Sequence, residues 1–324
     1  MTDDAELRAL LRYSAAIGAD PALVQGAGGN VSLKRDGLLW VKASGTWLAA
    51  AERQPIMVPV HLPPLLAAIA ADDAAAMEDA SRFVATGQDA TGLRPSIETT
   101  LHALLPHPVV VHVHCVETLA WACRRDAETV LAPKLAGLRW RFIPYVRPGA
   151  PLTRSIARRM HPATDVLVLG NHGVVAGGAD TAAAGRLIAE VARRLRRQPR
   201  AAPPPDARRL SAAGYHPVAE AHGLATDPAA LAVARLGSLY PDHVIFLGPG
   251  ISLRPGAAPL WVVAGAGVLL RNDASAGAAA LARCLADVTA RLDVAEPIAP
   301  LSGEDEAALL GWDAETYRQS VDRR

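Results

Sequence analysis

The order of apolar and polar residues along the chain predicts an α/β alternation over the first 200 residues. The run VVVHVH at 109–114 has the unbroken apolar character of a buried strand. A second strand pattern, DVLVLGNHGVVAGG at 165–178, is interrupted around 170–173. Between glycine-rich turns, residues 26–50 carry β-branched and aromatic residues that predict short strands. Helical patterns cover 1–25, 63–88, 117–134 and 179–198.

A proline-rich stretch at 199–206 divides this region from the rest of the chain. We therefore predict one domain over residues 1–200 and a smaller C-terminal domain of unknown role over residues 207–324. Within the smaller domain, the segments YPDHVIFLG and PLWVVAGAGVLL predict strands. A helix is predicted at 274–294, and an acidic helical tail follows it.

Composition limits the classes of function. The 324 residues are 51% hydrophobic with a formal net charge of +1, so the chain can bury a sizeable core and is not disordered as a whole. The charge balance gives no footprint for nucleic acid, and we interpret the basic run 193–200 as a solvated helix end with a linker. Because no apolar stretch reaches the ~20 residues of a membrane span and the start is unlike a secretory signal, we expect a cytoplasmic protein without membrane contact. The three cysteines do not form a thiolate site, so any metal needs imidazole and carboxylate ligands.

Three histidines have the arrangement of a metal site. Because side chains alternate along a strand, His112 and His114 point to the same face, about 7 Å apart at the level of Cα. His172 follows the second apolar strand at a glycine-flanked break, at the end of the strand where α/β proteins usually place their sites. Three imidazoles with an open coordination position are typical of catalytic zinc. Each histidine alone could be a core or turn residue, but together they favour a metal.

A carboxylate is predicted close to these histidines. Pro95 and Ser96 are typical first residues of a helix, and its first turns carry Glu98 and His102. Because this helix leads into the strand of His112, Glu98 could be a fourth ligand or a general base. It could equally stabilise the helix N-terminus, an effect worth about 0.3–1 kcal/mol, and the spacing does not choose between these interpretations.

Two glycine-containing loops could bind an anion. The first, GAGGNVS at 26–32, includes Asn30 and Ser32, and the second, KASGT at 42–46, includes Lys42 and Ser44. Backbone N–H groups, hydroxyls and one ammonium suit a phosphate or a carboxylate. The same residues could form two tight turns, and neither loop matches a Walker P-loop or a dinucleotide fingerprint.

The ordered set GGNVS, KASGT, PSIETTLH, HVH and NHG resembles the class II aldolase/adducin family over roughly residues 10–200. KASGTWL and RPSIETTLHALLPH are most similar to the aldolase portion of bacterial bifunctional rhamnulose-1-phosphate aldolase/alcohol dehydrogenases. YPDHVIFLGPG and GWDAETYRQS are similar to the stretch that follows that portion. A dehydrogenase domain is not expected, because no GxGxxG precedes an acidic residue at the right distance.

The resemblance implies a three-layer α/β/α fold with a central, largely antiparallel sheet, a smaller C-terminal α/β extension and a homotetramer. It implies Zn²⁺, or Mn²⁺ or another divalent cation, on the three histidines, and Glu98 as general acid/base. It places the substrate and its phosphate at Asn30, Ser44, Gly45 and Ser96, and the two loops add Ser32 and Lys42 as binding candidates. One departure is Ile97, which stands where ketose-phosphate members carry a second serine, so a phosphorylated substrate is less secure than the metal.

The function that this resemblance implies is retro-aldol cleavage of a ketose phosphate or a related sugar-derived keto compound through an enediolate. Glu98, rather than the aspartate of the related epimerases, favours the aldolase. Two alternatives stay open. One is metal-dependent decarboxylation of a 3-oxo sugar acid or its phosphate, and the other is a non-catalytic, adducin-like interaction module.

Overall fold

A seven-stranded sheet forms the centre of the computed structural model, which describes residues 5–322. Its strand order is β3-β2-β1-β4-β7-β6-β5, and every neighbouring pair is antiparallel except the parallel pair β5 and β6. The mixed α/β class and the largely antiparallel sheet are therefore confirmed. The strands are β1 (Asn30–Arg35), β2 (Leu38–Lys42), β3 (Met57–His61), β4 (Val109–Val113), β5 (Trp140–Ile143), β6 (Val166–Leu169) and β7 (Gly173–Gly178).

Helices cover both faces of this sheet. Those in the first 200 residues are α1 (Ala5–Gly18), α2 (Leu62–Ala70), α3 (Ala74–Glu78), α4 (Thr99–Leu104), α5 (Val116–Ala122), α6 (Ala127–Leu131), α7 (Ala150–Arg159) and α8 (Thr181–Arg194). The first four residues of the predicted N-terminal helix lie outside the described residues. The predicted helices at 63–88 and 117–134 are each divided in two. Within residues 5–322, no helix has the length and apolar character to cross a bilayer.

Strand β4 is buried on both faces, which explains its unbroken apolar run. Val109, Val111 and Val113 belong to an apolar cluster with α1 and α8. Val110 belongs to a different cluster with α4 and α7 on the opposite face. Because side chains alternate along a strand, His112 lies on the same face as Val110, the face that α4 covers. This places His112 beside the residues that begin α4.

The region after residue 206 adds a three-stranded sheet and several helices. The strands are β8 (Tyr215–Pro217), β9 (Leu260–Val263) and β10 (Gly267–Arg271), in the order β8-β10-β9. The helices are α9 (Gly223–Thr226), α10 (Pro228–Ala234), α11 (Pro241–Leu247), α12 (Ala276–Thr289), α13 (Gly303–Leu310) and α14 (Asp313–Asp322). The predicted strands at PLWVVAGAGVLL, the helix at 274–294 and the helical tail are confirmed.

The predicted strand YPDHVIFLG is wrong, because most of this segment is α11. Pro241 occupies the first helical turn, and Gly248 follows the helix with a φ of 87°. These are ordinary start and stop signals of a helix. All seven residues of α11 are buried. The apolar run of a buried helix resembles that of a buried strand, and here tertiary packing overrides the β propensity of the segment.

One apolar cluster joins the two regions on either side of the proline-rich stretch. It includes Val116 and Leu119 of α5 together with Leu281 and Leu285 of α12. These side chains are less than 2% exposed, so the C-terminal region is seated directly on the first 200 residues. The division at residue 200 stays a prediction. The packing shows that residues after 206 lie close to the central sheet, where they can contribute to a site.

Candidate active site

The three histidines meet at one edge of the central sheet. His112 lies in β4, His114 follows it, and His172 lies in the turn between β6 and β7. Strands β4 and β6 are both antiparallel to β7, so their carboxyl ends reach the same edge. Gly173 is required at this turn, since a Cβ there would lie 2.4 Å from the carbonyl oxygen of Val113. The sheet topology therefore brings His172 beside two histidines that precede it by 58 and 60 residues in the chain.

The imidazole rings form a close, buried triangle. The distances between ring centroids are 4.9 Å for His112 and His114, 4.8 Å for His112 and His172, and 5.0 Å for His114 and His172. Each ring offers one ligand nitrogen, and these nitrogens lie within 4.8 Å of one another. Three nitrogens at such distances can reach a common divalent cation.

Hydrogen bonds at the far side of two rings determine which nitrogen faces the centre. His112 Nδ1 lies 3.1 Å from the Val174 carbonyl oxygen, and His114 Nδ1 lies 3.0 Å from Asp242 Oδ2. Because both partners only accept, each Nδ1 carries the proton and each Nε2 presents a lone pair.

The two Nε2 atoms are 3.2 Å apart, too close for facing lone pairs that share no proton. Tetrahedral coordination with Zn–N bonds of ~2.0–2.1 Å would place the nitrogens roughly 3.3 Å apart. Burial also lowers the pKa of His112, and it lowers the pKa of His172 to about 3, so both rings are neutral ligands at neutral pH. The residues present thus fit a divalent cation.

Glu98 faces this triangle from the residue before α4. Its Oε2 lies 3.4 Å from His112 Nε2, and its Oε1 lies 3.6 Å from His172 Nε2. Oε1 is buried and accepts no hydrogen bond within the described part of the chain. Burial raises the pKa of Glu98, whereas a hydrogen bond from Asn30 and the positive charge of His112 and His172 when these rings are protonated lower it. The net effect is a pKa below the ordinary value, so Glu98 is a carboxylate at neutral pH.

The place of Glu98 relative to helix α4 differs from the predicted one. It precedes α4, with a φ of −104° and a ψ of 17°, whereas the sequence pattern put it in the first turn of the helix. Its side chain makes no capping hydrogen bond to that helix. The Glu98 side chain therefore does not cap the helix by a hydrogen bond, and both the ligand and the general-base interpretations are compatible with its geometry.

Asn30 connects Glu98 to a second buried group. Its Nδ2 donates to Glu98 Oε2 at 2.8 Å and to Ser96 Oγ at 3.2 Å. His102 Nε2 donates to Asn30 Oδ1, while Ser32 Oγ donates to His102 Nδ1 at 2.8 Å. Since the Asn30 oxygen accepts from His102, its amide nitrogen must face the carboxylate. Ser32 thus lies behind Asn30 and does not line the cavity.

The cavity beside the histidines collects most of the residues predicted to bind substrate: Asn30, Lys42, Ser44, Gly45 and Ser96. Lys42 is buried and donates to the Ala27 carbonyl oxygen at 3.1 Å, which leaves further N–H donors for a ligand. Burial, together with the nearby Arg318, lowers the pKa of Lys42 to about 7. The hydroxyl of Ser44 is buried and has no hydrogen-bond partner among residues 5–322.

Four residues of this site were missed as candidates in the sequence. His102 enters the sequence pattern only as a member of the helix predicted around Glu98, although it lies one turn after that carboxylate. Asp242, Glu315 and Arg318 line the cavity from the C-terminal region. A usable signal existed, because these three residues lie in the segments YPDHVIFLGPG and GWDAETYRQS, which both contribute to the resemblance.

Comparisons with known proteins agree with this architecture. Residues 8–198 match the family model described as the Class II Aldolase and Adducin N-terminal domain. YuxG of Bacillus subtilis strain 168, described as an uncharacterized oxidoreductase, is 31% identical over 180 residues, which are 52% of this chain and 26% of YuxG. The chain therefore spans only about a quarter of that relative.

Two solved structures match this chain over about three fifths of its length. The N-terminal class II aldolase domain of a conserved protein from Thermoplasma acidophilum has a TM-score of 0.50 and 25% identity, over 60% of this chain and 94% of that one. A sugar-phosphate aldolase from Thermotoga maritima has a TM-score of 0.45 and 14% identity, over 58% of this chain and 92% of that one.

Proposed function

Because the chain belongs to the class II aldolase and adducin family, we propose that it is a divalent-metal-dependent lyase. It cleaves a ketose phosphate or a related sugar-derived keto compound by a retro-aldol reaction through an enediolate. The observation that carries this proposal is the convergence of His112, His114 and His172 beside the buried carboxylate of Glu98. Zinc as the cation, a homotetrameric assembly and a cytoplasmic location remain predictions.

The metal and the carboxylate have separate tasks. A divalent cation on the three histidines would polarise the substrate carbonyl and stabilise the negative charge that develops as the carbon–carbon bond breaks. Glu98 transfers a proton to and from the substrate through Oε1, the oxygen that accepts no hydrogen bond among the described residues. Asn30 holds the other oxygen, and the hydrogen bond from His102 keeps the Asn30 amide turned toward it.

The anionic end of the substrate lies at Lys42 and Ser44. Both side chains line the cavity and have donors to spare, and Ser96 adds a hydroxyl on the same side. Ile97 lines the cavity too and contributes no hydrogen bond from its side chain. A carboxylate at the anionic end of the substrate is therefore an alternative to a phosphate. The apolar side chain of Ile97 is the observation that favours the decarboxylase.

The reaction is tested by incubating the full chain, loaded with Zn²⁺ or Mn²⁺, with a panel of ketose phosphates and 3-oxo sugar acids. We expect an aldehyde product from at least one ketose derivative. Release of carbon dioxide without an aldehyde would replace the aldolase by the decarboxylase. A protein that takes up no divalent ion and turns over no compound would instead support the adducin-like interaction module.

Lys42→Met is expected to raise KM for the cleaved substrate by about 10- to 100-fold, because a charge-assisted hydrogen bond to an anion contributes ~1.5–3 kcal/mol. Methionine matches the unbranched lysine side chain as far as Cε and removes the ammonium group, so kcat should fall less than KM rises. The matched control is Lys134→Met, whose ammonium lies 4.3 Å from the ring centre of Trp121, outside the lining of the cavity. Unchanged KM in the Lys42 variant would remove Lys42 from the binding site.

A further inference from the structure

The C-terminal region supplies a residue that prepares the metal site. We infer that Asp242 of α11 fixes the orientation and tautomer of His114 as a metal ligand, and that Arg318 of α14 holds Asp242 in place. Both residues lie outside the family match at 8–198. The inference rests on the proposed metal site, and it makes Asp242 a positioning residue that acts on a cation only through His114.

The contact geometry is specific. Asp242 Oδ2 lies 3.0 Å from His114 Nδ1, and the carboxylate is 2% exposed. Arg318 Nη1 donates to Asp242 Oδ1 at 2.6 Å, and Arg318 Nη2 donates to Oδ2 at 3.0 Å. This is the two-pronged pairing that suits a guanidinium and a carboxylate. Asp242 therefore cannot turn away from the ring without breaking a buried ion pair.

The loop before β1 closes over the same contact. A Cβ at Gly28 would lie 2.9 Å from His114 Nδ1 and 3.0 Å from Asp242 Oδ2. Only a residue without a side chain leaves space for the imidazole and the carboxylate to meet at this point. The glycine-rich loop thus leaves space for the contact between His114 and Asp242, and it also positions Asn30.

Helices α11 and α14 are joined so that Arg318 stays beside Asp242. Gln319 Nε2 donates to the carbonyl oxygen of Ile245 at 2.7 Å, and the guanidinium of Arg318 lies 5.3 Å from the ring centre of Phe246. Glu315, in the first turn of α14, lines the cavity and lies 3.3 Å from Arg318 within the same helix. The two helices form one support for the carboxylate.

Helix electrostatics alone does not account for Asp242. Acidic residues are favoured in the first turn of any helix, and Asp242 occupies that position in α11. An exposed carboxylate would be sufficient for that effect, whereas both oxygens of Asp242 are engaged by Arg318 and one of them also by His114. Burying a carboxylate is costly unless its partners are in place. The contact between Asp242 and His114 therefore indicates a role of this carboxylate toward the imidazole ring.

The chemical consequence falls on His114 Nε2. A carboxylate that accepts from Nδ1–H keeps the proton there, leaves Nε2 free to coordinate, and makes the imidazole a stronger ligand. Outer-shell partners of this kind change metal affinity by about 10- to 100-fold when they are replaced. Residues from the C-terminal region thereby complete a site whose ligands all lie in the first 200 residues.

The test compares Asp242→Asn with Glu315→Gln in the full chain. Each change replaces a buried carboxyl group that faces Arg318 by an amide, but only Asp242 contacts His114. Asparagine has one acceptor oxygen where aspartate has two. The N–H groups of His114 and Arg318 that surround residue 242 all donate, so at least one of them would face the NH₂ group of the asparagine. We expect Asp242→Asn to weaken Zn²⁺ affinity by about 10- to 100-fold in competition with a chromophoric chelator. Glu315→Gln should change that affinity by less than about threefold.

Two further measurements separate orientation from folding. The visible absorption of the Co²⁺-loaded protein should change in Asp242→Asn and stay as in the parent in Glu315→Gln, because only the first variant alters a coordinated ring. Thermal unfolding of both metal-free variants reports the loss of the ion pair itself. Equal Zn²⁺ affinity in the parent and in a folded Asp242→Asn protein would overturn the inference and leave the proposed function intact. A parent that binds no divalent ion would overturn both.

Discussion

Replacing Glu98 by glutamine is expected to lower kcat by about 10²- to 10⁴-fold, the usual contribution of a positioned general acid/base. Glutamine has the same shape and retains an oxygen that can accept from Asn30 Nδ2, so the surroundings of the side chain should persist. What is lost is the ability to take up and return a proton at the oxygen next to His172. The measurement is the turnover of the substrate identified in the panel.

The same variant decides between the two roles that remain open for Glu98. If the residue is a general base, the purified variant should retain its bound metal, because three histidines still hold the cation. If it is a ligand, Zn²⁺ affinity should fall together with kcat. Glu190→Gln is the matched control, since Glu190 pairs with Arg193 and Arg194 on the outer side of α8. Unchanged turnover in Glu98→Gln would refute the assignment of proton transfer.

Removal of the divalent cation is expected to abolish turnover, and addition of Zn²⁺ or Mn²⁺ to the chelated protein should restore it. The cation also binds only the folded arrangement of His112, His114 and His172, so it should raise the free energy of unfolding. At a free ion concentration 100 times Kd, this stabilisation is about 2.7 kcal/mol. Thermal unfolding with and without chelator measures it alongside activity.

A histidine variant checks that this effect arises at the proposed site. His172→Ala should lose most of the activity and most of the stabilisation by metal, because two imidazoles hold a cation less well than three. His216→Ala serves as the control, since His216 lies in β8 and contacts Asn272 away from the cavity. Full turnover in protein that has been shown to be metal-free would exclude a metal-dependent mechanism.

Most of the fold could be predicted because its signals are local. Apolar runs bounded by glycine and proline located β4, β6 and β7, and the ordered set of short segments indicated the family. The period of two along a strand was enough to expect His112 and His114 on one face. The prediction was wrong at α11, where an apolar run of strand length is a fully buried helix, because periodicity is uninformative when every residue is buried.

Local pattern was thus sufficient to identify the strand-end histidines, the loops that carry Asn30 and Lys42, and the chemistry that these groups can perform. It could not show that Asp242 contacts His114, that Arg318 pairs with Asp242, or that His102 orients Asn30. Those contacts join residues separated by 72 to 128 positions, and they depend on how the sheet and the C-terminal helices pack. Spacing in a sequence encodes which side chains share a strand or a helical turn, whereas partners between elements are chosen by packing of the whole chain.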